Sequence, residues 1–305
     1  MSLFFVRIYM GWRIIYIEDA NNLRLYLDNV KIEKDTTEIT IPLSDIHTIV
    51  IDNQKITMTV PLINKCSEYN INLVICSFEH MPNALLQPYC GNYQSPSLLK
   101  KQILWSDDIK KKIHRMIIKN KINNQIDLLK DYDTTDSVAK LVDFMNEVDD
   151  GDTRNREGLA AKMYFRSLFG KDFKRFEEDV VNTGLNYGYA ILRSQISKTI
   201  VAKGLNPMLG IIHIGYNNPF NLSDDFIEPF RPMVDEYVVK YLKDSIVFKK
   251  DNRLDLIKIT TQNVYINGVS QTFYNAVAMY VDAIIKIFET GDVSLYPQIY
   301  LNHEL

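Results

Sequence analysis

The sequence predicts an α+β protein in which an N-terminal β-rich domain is followed by a larger all-α C-terminal domain. Three observations carry this expectation. Between Gly11 and about Leu86, short runs of β-branched and aliphatic residues are separated by turn formers. After Lys100 the apolar residues recur at helical spacing instead. Between the two, Gln87-Pro88-Tyr89-Cys90-Gly91-Asn92-Tyr93-Gln94-Ser95-Pro96-Ser97 gathers Pro, Gly, Asn and Ser, the composition of a linker. The expected division is therefore a β-rich domain over 1–87, a linker over 88–99 and a helical domain over 100–305. The 305 residues also exceed what one core usually holds, about 250–300.

The strand-like runs are Arg13–Ile17, Asn22–Leu27, Glu38–Ile41, Thr48–Ile51 and Leu73–Cys76, with one short helix over Val60–Tyr69. Asn22–Leu27 alternates polar and apolar residues, as a half-buried strand does. In the second part, Ile103, Ile109, Ile113, Ile117 and Ile118 mark one side of a basic helix. Further helical patterns follow over Ile122–Tyr132, Val138–Asn146, Arg156–Leu168, Gly184–Lys203 and Met233–Lys243. The acidic stretch Asp131–Asp152 reads as a solvated helix and loop. Asn267-Gly268 between β-formers predicts a small hairpin over Val264–Ser270, and a last helix covers about Phe273–Glu289.

Hydrophobic residues make up 46% and charged residues 24%, an ordinary globular composition. Cys66, Cys76 and Cys90 are an odd number without C-x-x-C spacing, which excludes a disulfide framework and a zinc site and predicts a reducing cytoplasm. Arg7 and Arg13 interrupt the apolar opening, so neither a signal peptide nor a membrane span is expected. No Gly-rich phosphate loop and no G-x-S-x-G elbow is present. The net charge of -3 hides a basic stretch: Lys100–Lys121 holds eight Lys and Arg against Asp107 and Asp108. Such a face suits phosphate-backbone contact without sequence readout, and equally a solvated helix surface. Trp12 and Trp105 read as packing anchors.

Glu157, His213 and Glu228 stand out as candidates for chemistry. Hard oxygens suit a divalent cation that activates a phosphodiester, and an added imidazole shifts preference from magnesium toward manganese. Each has a plainer reading. Glu157 lies near a helix start, where the dipole favours acids. His213 sits among Ile211, Ile212 and Ile214, and Glu228 precedes Pro229 before a helix.

The segments Gly11-Trp12-Arg13, Leu85-Leu86-Gln87-Pro88-Tyr89, Asn155-Arg156-Glu157-Gly158, Leu185-Asn186-Tyr187-Gly188-Tyr189, Leu209-Gly210-Ile211-Ile212-His213 and Glu228-Pro229-Phe230-Arg231-Pro232-Met233-Val234-Asp235 run in order over almost the whole chain. Together they resemble the CRISPR-associated integrase and endonuclease family, the universal spacer-acquisition proteins, in the branch found beside type II systems. The resemblance implies that Glu157, His213 and Glu228 bind a catalytic Mg2+ or Mn2+. Many members carry Asp at the third ligand; here it is Glu228, with Asp225 one turn earlier as a supporting or alternate carboxylate.

It further implies a homodimer formed through the β domain, double-stranded DNA as substrate and a small ferredoxin-like CRISPR-associated adaptation protein as partner. A type II effector nuclease and a ring-shaped accessory protein would join them. The implied reaction is attack of a DNA 3′-hydroxyl on a phosphodiester at a repeat edge, with water in its place for nuclease activity. Lys110, Lys111, Lys112, Arg115, Tyr164 and Arg231 are the expected DNA contacts. Two other classes stay open: a catalytically silent DNA-binding assembly scaffold, and a metal-dependent phosphoesterase acting on a small substrate.

Overall fold

The computed structural model describes residues 6–8, 13–88, 91–132 and 135–301. Gly11, Trp12, Tyr89 and Cys90 lie outside them. The chain divides into two compact units, Met1–Tyr93 and Gln94–Leu305. No helix among the described residues is long and apolar enough to cross a membrane.

The first unit holds β1 (Val6–Ile8), β2 (Arg13–Ile17), β3 (Asn22–Tyr26), β4 (Asn29–Lys34), β5 (Thr37–Pro42), β6 (Ile46–Ile51), the short β7 (Thr57–Met58), helix α1 (Val60–Glu68), β8 (Asn72–Cys76) and β9 (Pro82–Leu86). One sheet has the order β1-β2-β6-β8-β9 and the other β5-β4-β3-β7. Period-2 alternation turns Ile15 and Ile17, Leu23, Val30 and Ile32, Ile49 and Ile51 into one apolar cluster, joined by Leu62 and Cys66 of α1.

Strand β4 has no counterpart among the strand-like runs. Tyr26 pairs with Asn29, so β3 and β4 are joined by Leu27 and Asp28 alone, both at positive φ (45° and 56°). This primed turn lacks the glycine that normally announces one. The Asn29 amide steadies it by donating to the carbonyls of Tyr26 (3.0 Å) and Leu27 (2.6 Å).

The second unit contains α2 (Ser95–Ile103), α3 (Asp107–Lys130), α4 (Thr135–Glu147), α5 (Arg156–Phe169), α6 (Val180–Ala202), α7 (Asn221–Ile227), α8 (Arg231–Tyr241), α9 (Lys250–Lys258), strands β10 (Asn263–Ile266) and β11 (Val269–Thr272), α10 (Phe273–Thr290) and β12 (Ile299–Leu301). Trp105 is a packing anchor, stacked on Phe288 at 3.8 Å. The Asn267-Gly268 hairpin forms, and β12 adds a third strand to it.

Four expectations are corrected. Helix α2 begins at Ser95, inside the segment expected as linker, because Pro96 falls in its first turn, where a missing N–H costs nothing. Ile103 belongs to α2 and is exposed rather than on the buried side of the basic helix. Helices α7 and α9 had no counterpart. The patterns read as a basic helix and a second one over Ile122–Tyr132 are one 24-residue helix, α3. Its mid-helix amides, which weaken helix propensity, instead hold neighbouring backbone. Asn120 donates to Ile299 O (2.6 Å) and accepts from Ile299 N (3.1 Å), and Asn124 donates to Pro229 O (2.8 Å).

Candidate active site

Glu157 is set in place by the backbone ahead of it. The Asp152 carboxylate accepts from the amides of Arg156 (2.8 Å) and Glu157 (2.9 Å). Asn155, at φ 51°, caps α5 by accepting from Gly158 N at 3.2 Å. A Cβ on residue 158 would lie 2.6 Å from Asn155 Oδ1, so this cap requires Gly158. Glu157 is thereby held in the first turn of α5, with Oε1 2.6 Å from Lys121 Nζ on α3.

His213 lies in the loop between α6 and α7, and that loop is folded around Asp225. The Asp225 carboxylate, 2% exposed as a side chain, accepts from the amides of Ile211 (2.5 Å), Ile212 (3.3 Å) and His213 (3.2 Å), and from His213 Nδ1 at 2.7 Å. A Cβ on residue 210 would meet His213 O at 2.2 Å, so the close passage needs Gly210. With Nδ1–H given to Asp225, Nε2 keeps its lone pair for a ligand. The Asp225 hydrogen bond, working against burial, raises the His213 imidazole above its ordinary value. Asp225 thus supports His213, and its oxygens are already committed to the loop. Gln102 of α2 clasps the same loop, donating to Asn206 O and Leu209 O, both at 2.9 Å.

Glu228 is buried in a 3-10 turn just before α8. Oε1 lies 3.0 Å from Arg231 Nε, and Oε2 lies 2.5 Å from Lys121 Nζ. Burial pushes this carboxyl up, but Arg231 and Lys121 overrule it and hold it at about 2. Oε2 is taken up by the Lys121 ammonium, so a divalent ion reaches this oxygen only in the ammonium's place.

Lys121, on α3, therefore bridges the two candidate ligands of α5 and of the turn before α8. Burial opposes its charge, and Glu157 and Glu228 more than restore it. The basic stretch had placed Lys121 on a phosphate-facing surface; here its neighbours Ile117, Ile118 and Ile122 turn that face inward. Among the described residues no group of three or more His, Cys, Asp and Glu side chains lies in metal-binding arrangement. The reason is visible: an ammonium stands between two of the three carboxylate and imidazole groups, and the third is tied to Asp225. The donor types fit a hard divalent ion, with two carboxylates already gathered around one cation and one imidazole oriented through its far nitrogen.

Two expected DNA contacts are corrected. Tyr164 is fully buried and donates to Asp235 at 2.9 Å, and Tyr189 donates to the other oxygen of the same carboxylate. Arg231 is committed to Glu228 and lies over the Tyr189 ring at 4.5 Å, so it positions a carboxylate. Burial, set against those two tyrosine hydrogen bonds, pushes Asp235 up to about 6. Of the basic set, Lys112 pairs with Asp108 (2.7 Å), Arg115 with Asp150 (2.8 Å) and Lys110 with Asp107 (3.7 Å). Lys111 is exposed without a carboxylate partner among the described residues. Lys110 also lines, with His213, Tyr216 and Asn218, a cleft of about 620 Å³.

His114 escaped the sequence reading. It is buried on α3 with Nδ1 unbonded, and burial lowers it against the pull of Glu157, Asp225 and Asp152. A histidine one helical step from Ile113 and Ile117 was the only signal.

Residues 15–260 match the family model for the CRISPR associated protein Cas1. A CRISPR-associated endonuclease Cas1 from Neisseria meningitidis is 36% identical over 230 residues, covering 75% of this chain and 76% of that protein. A casposase bound to its integration product has the same fold, with a TM-score of 0.73 and 18% identity over 93% of this chain and 92% of that one. A chain of a Cas6-RT-Cas1–Cas2 complex aligns with a TM-score of 0.74 and 17% identity over 96% of this chain and 36% of its own length. With the family model spanning residues 15–260, most of its length, the chain belongs to the Cas1 family of CRISPR-associated proteins.

Proposed function

We propose that this protein is a divalent-metal-dependent DNA integrase and endonuclease of CRISPR adaptation, joining new spacer DNA to a CRISPR array. The observation that carries the reading is the convergence of α3, α5 and the turn before α8 on two carboxylates that share one cation, with the Asp225-oriented His213 as the adjoining candidate. Two carboxylates, one of them the buried Glu228, gathered within reach of one cation are what a site for a divalent ion requires. The endonuclease name of the Neisseria relative, the integration product of the casposase and the Cas1–Cas2 assembly support DNA as substrate and a small adaptation protein as partner.

Glu157, Glu228 and His213 through Nε2 would hold Mg2+ or Mn2+. When bound, the ion supplies Lewis acidity to a phosphoryl oxygen and lowers the pKa of a hydroxyl or water nucleophile. Arg231 fixes the Glu228 carboxylate, Asp225 fixes the His213 ring, and Lys110 beside His213 meets the DNA backbone. The β unit would form the homodimer, and in a type II setting the effector nuclease and a ring-shaped accessory protein would join the assembly.

One observation favours a second reading: Lys121 and Arg231 already balance the charge of the two acids, as a catalytically silent DNA-binding scaffold would require. Strand transfer separates the two. A duplex with free 3′-hydroxyls is incubated with a supercoiled plasmid carrying a CRISPR array, the small partner protein and Mn2+ or Mg2+. Metal-requiring product should form with wild type and fall by at least about 100-fold in Glu157→Ala and His213→Ala. Equal behaviour of all three proteins would leave the scaffold reading standing.

A further inference from the structure

We infer that Lys121 is a resident counter-cation of this site: its ammonium holds Glu157 and Glu228 together and must be displaced when a divalent ion enters. This deepens the metal-dependent reading and rests on it.

The argument begins with charge. Glu157 and Glu228 face Lys121 and Arg231, two acids against two cations, so the cluster is balanced before any metal arrives. Adding a doubly charged ion with Lys121 in place would set it against an ammonium in a buried setting, where like charges are poorly screened. Geometry points the same way. Nζ lies 2.6 Å from Glu157 Oε1 and 2.5 Å from Glu228 Oε2. The position between those oxygens is the one an ion coordinated by both would take, at metal–oxygen distances of about 2.1 Å. One site cannot hold both.

The two cations are not equivalent. Arg231 is pinned, its guanidinium over Tyr189 and its Nε on the other oxygen of Glu228. Lys121 has a flexible four-carbon stem and a compact head, held by its two carboxylate contacts. Lys121 is the group that can leave. It therefore assembles the acids in advance and makes the ion compete for them, which lowers metal affinity.

The test is calorimetric titration of Mn2+ into chelator-treated full-length protein, comparing wild type with Lys121→Met, alongside thermal unfolding with and without Mn2+. Lys121→Met should bind Mn2+ at least tenfold more tightly than wild type. Its melting temperature should fall without metal and rise further than wild type's when Mn2+ is added. Lys121→Arg, which keeps the charge on a bulkier and less mobile head, should bind more weakly than wild type.

A lysine that merely packs the site would lower stability without tightening metal binding. Equal or weaker Mn2+ binding by Lys121→Met, with wild type binding, overturns the inference and leaves the metal reading intact. No Mn2+ binding by any of the three proteins overturns the metal reading and this inference with it. If Lys121→Met does not fold, wild type against Lys121→Arg decides: equal affinities overturn the inference.

Discussion

The interiors of the two units are built from different materials. Between its sheets the β unit buries Ile15, Ile17, Leu23, Val30, Ile32, Ile49 and Ile51, aliphatic side chains that any half-buried strand could supply. The helical unit buries Lys121, Asp225, Glu228 and Asp235 alongside its leucines and isoleucines. Taking a charge out of water costs several kcal/mol unless partners restore it, and an apolar replacement is often no less stable. The β unit also buries one acid, Asp52, but Tyr16 and His80 hold it apart from the aliphatic cluster between the sheets. The helical unit gathers opposite charges at one point, around Lys121, so its interior is that of a candidate site and the clustered β core that of a scaffold.

The sharpest way to break this contrast is to remove one charge and one hydrocarbon and compare. Glu228→Ala leaves the buried Lys121 and the half-buried Arg231 with half their compensation, which should cost about 3–5 kcal/mol in denaturant unfolding. Leu23→Ala, at a fully buried position, should cost about 2–5 kcal/mol. The two should part in function: folded Leu23→Ala transfers strands at the wild-type rate per molecule, and Glu228→Ala does not. If folded Leu23→Ala also lost transfer, the division into scaffold and site would be wrong.

The same contrast explains what the sequence made legible. Strands β2, β3, β5, β6 and β8 announce themselves by alternation or β-branched runs, and the β10–β11 hairpin by Asn267-Gly268. Strand β4 does not, because Leu27 and Asp28 take the left-handed turn positions normally marked by glycine. In the helical unit, Glu157, His213 and Glu228 were found through motifs, and the structure adds what holds them. The partnership of Lys121 with acids 36 and 107 positions away was invisible, since no local pattern distinguishes it from Lys119 or Arg115. For the same reason Tyr164 looked free to meet DNA when its hydroxyl is spent on Asp235.

A smaller effect, and one of opposite sign to most carboxylates, should come from Asp235. Its carboxyl stands at about 6, above the ordinary 3.8, because burial outweighs its tyrosine hydrogen bonds. Between those values the folded state binds more protons than the unfolded one. Stability should therefore fall as pH rises from about 4 to 6, with the penalty fully present above 6. Asp235→Asn cannot ionise and should lose that slope. Urea unfolding of both proteins across pH 4–7 checks this, and parallel slopes would show that Asp235 does not titrate in that window.

The smallest effect belongs to the surface, where charge is cheap to hold and cheap to remove. Lys112 and Arg115 already face Asp108 and Asp150, so their charge is partly spent before DNA arrives. Lys111 is exposed and projects beside Gly151, with no acid to share its charge among the described residues. It should therefore release a full counterion on contact with a phosphate. Lys111→Ala should leave the melting temperature unchanged and reduce the slope of log affinity against log salt by about one. Lys112→Ala should change that slope less, since the Lys112 ammonium already shares its charge with Asp108 and releases less counterion on meeting a phosphate. Duplex binding measured from low to moderate salt would rank the two, and an unchanged slope in Lys111→Ala would remove this face of α3 from the DNA path.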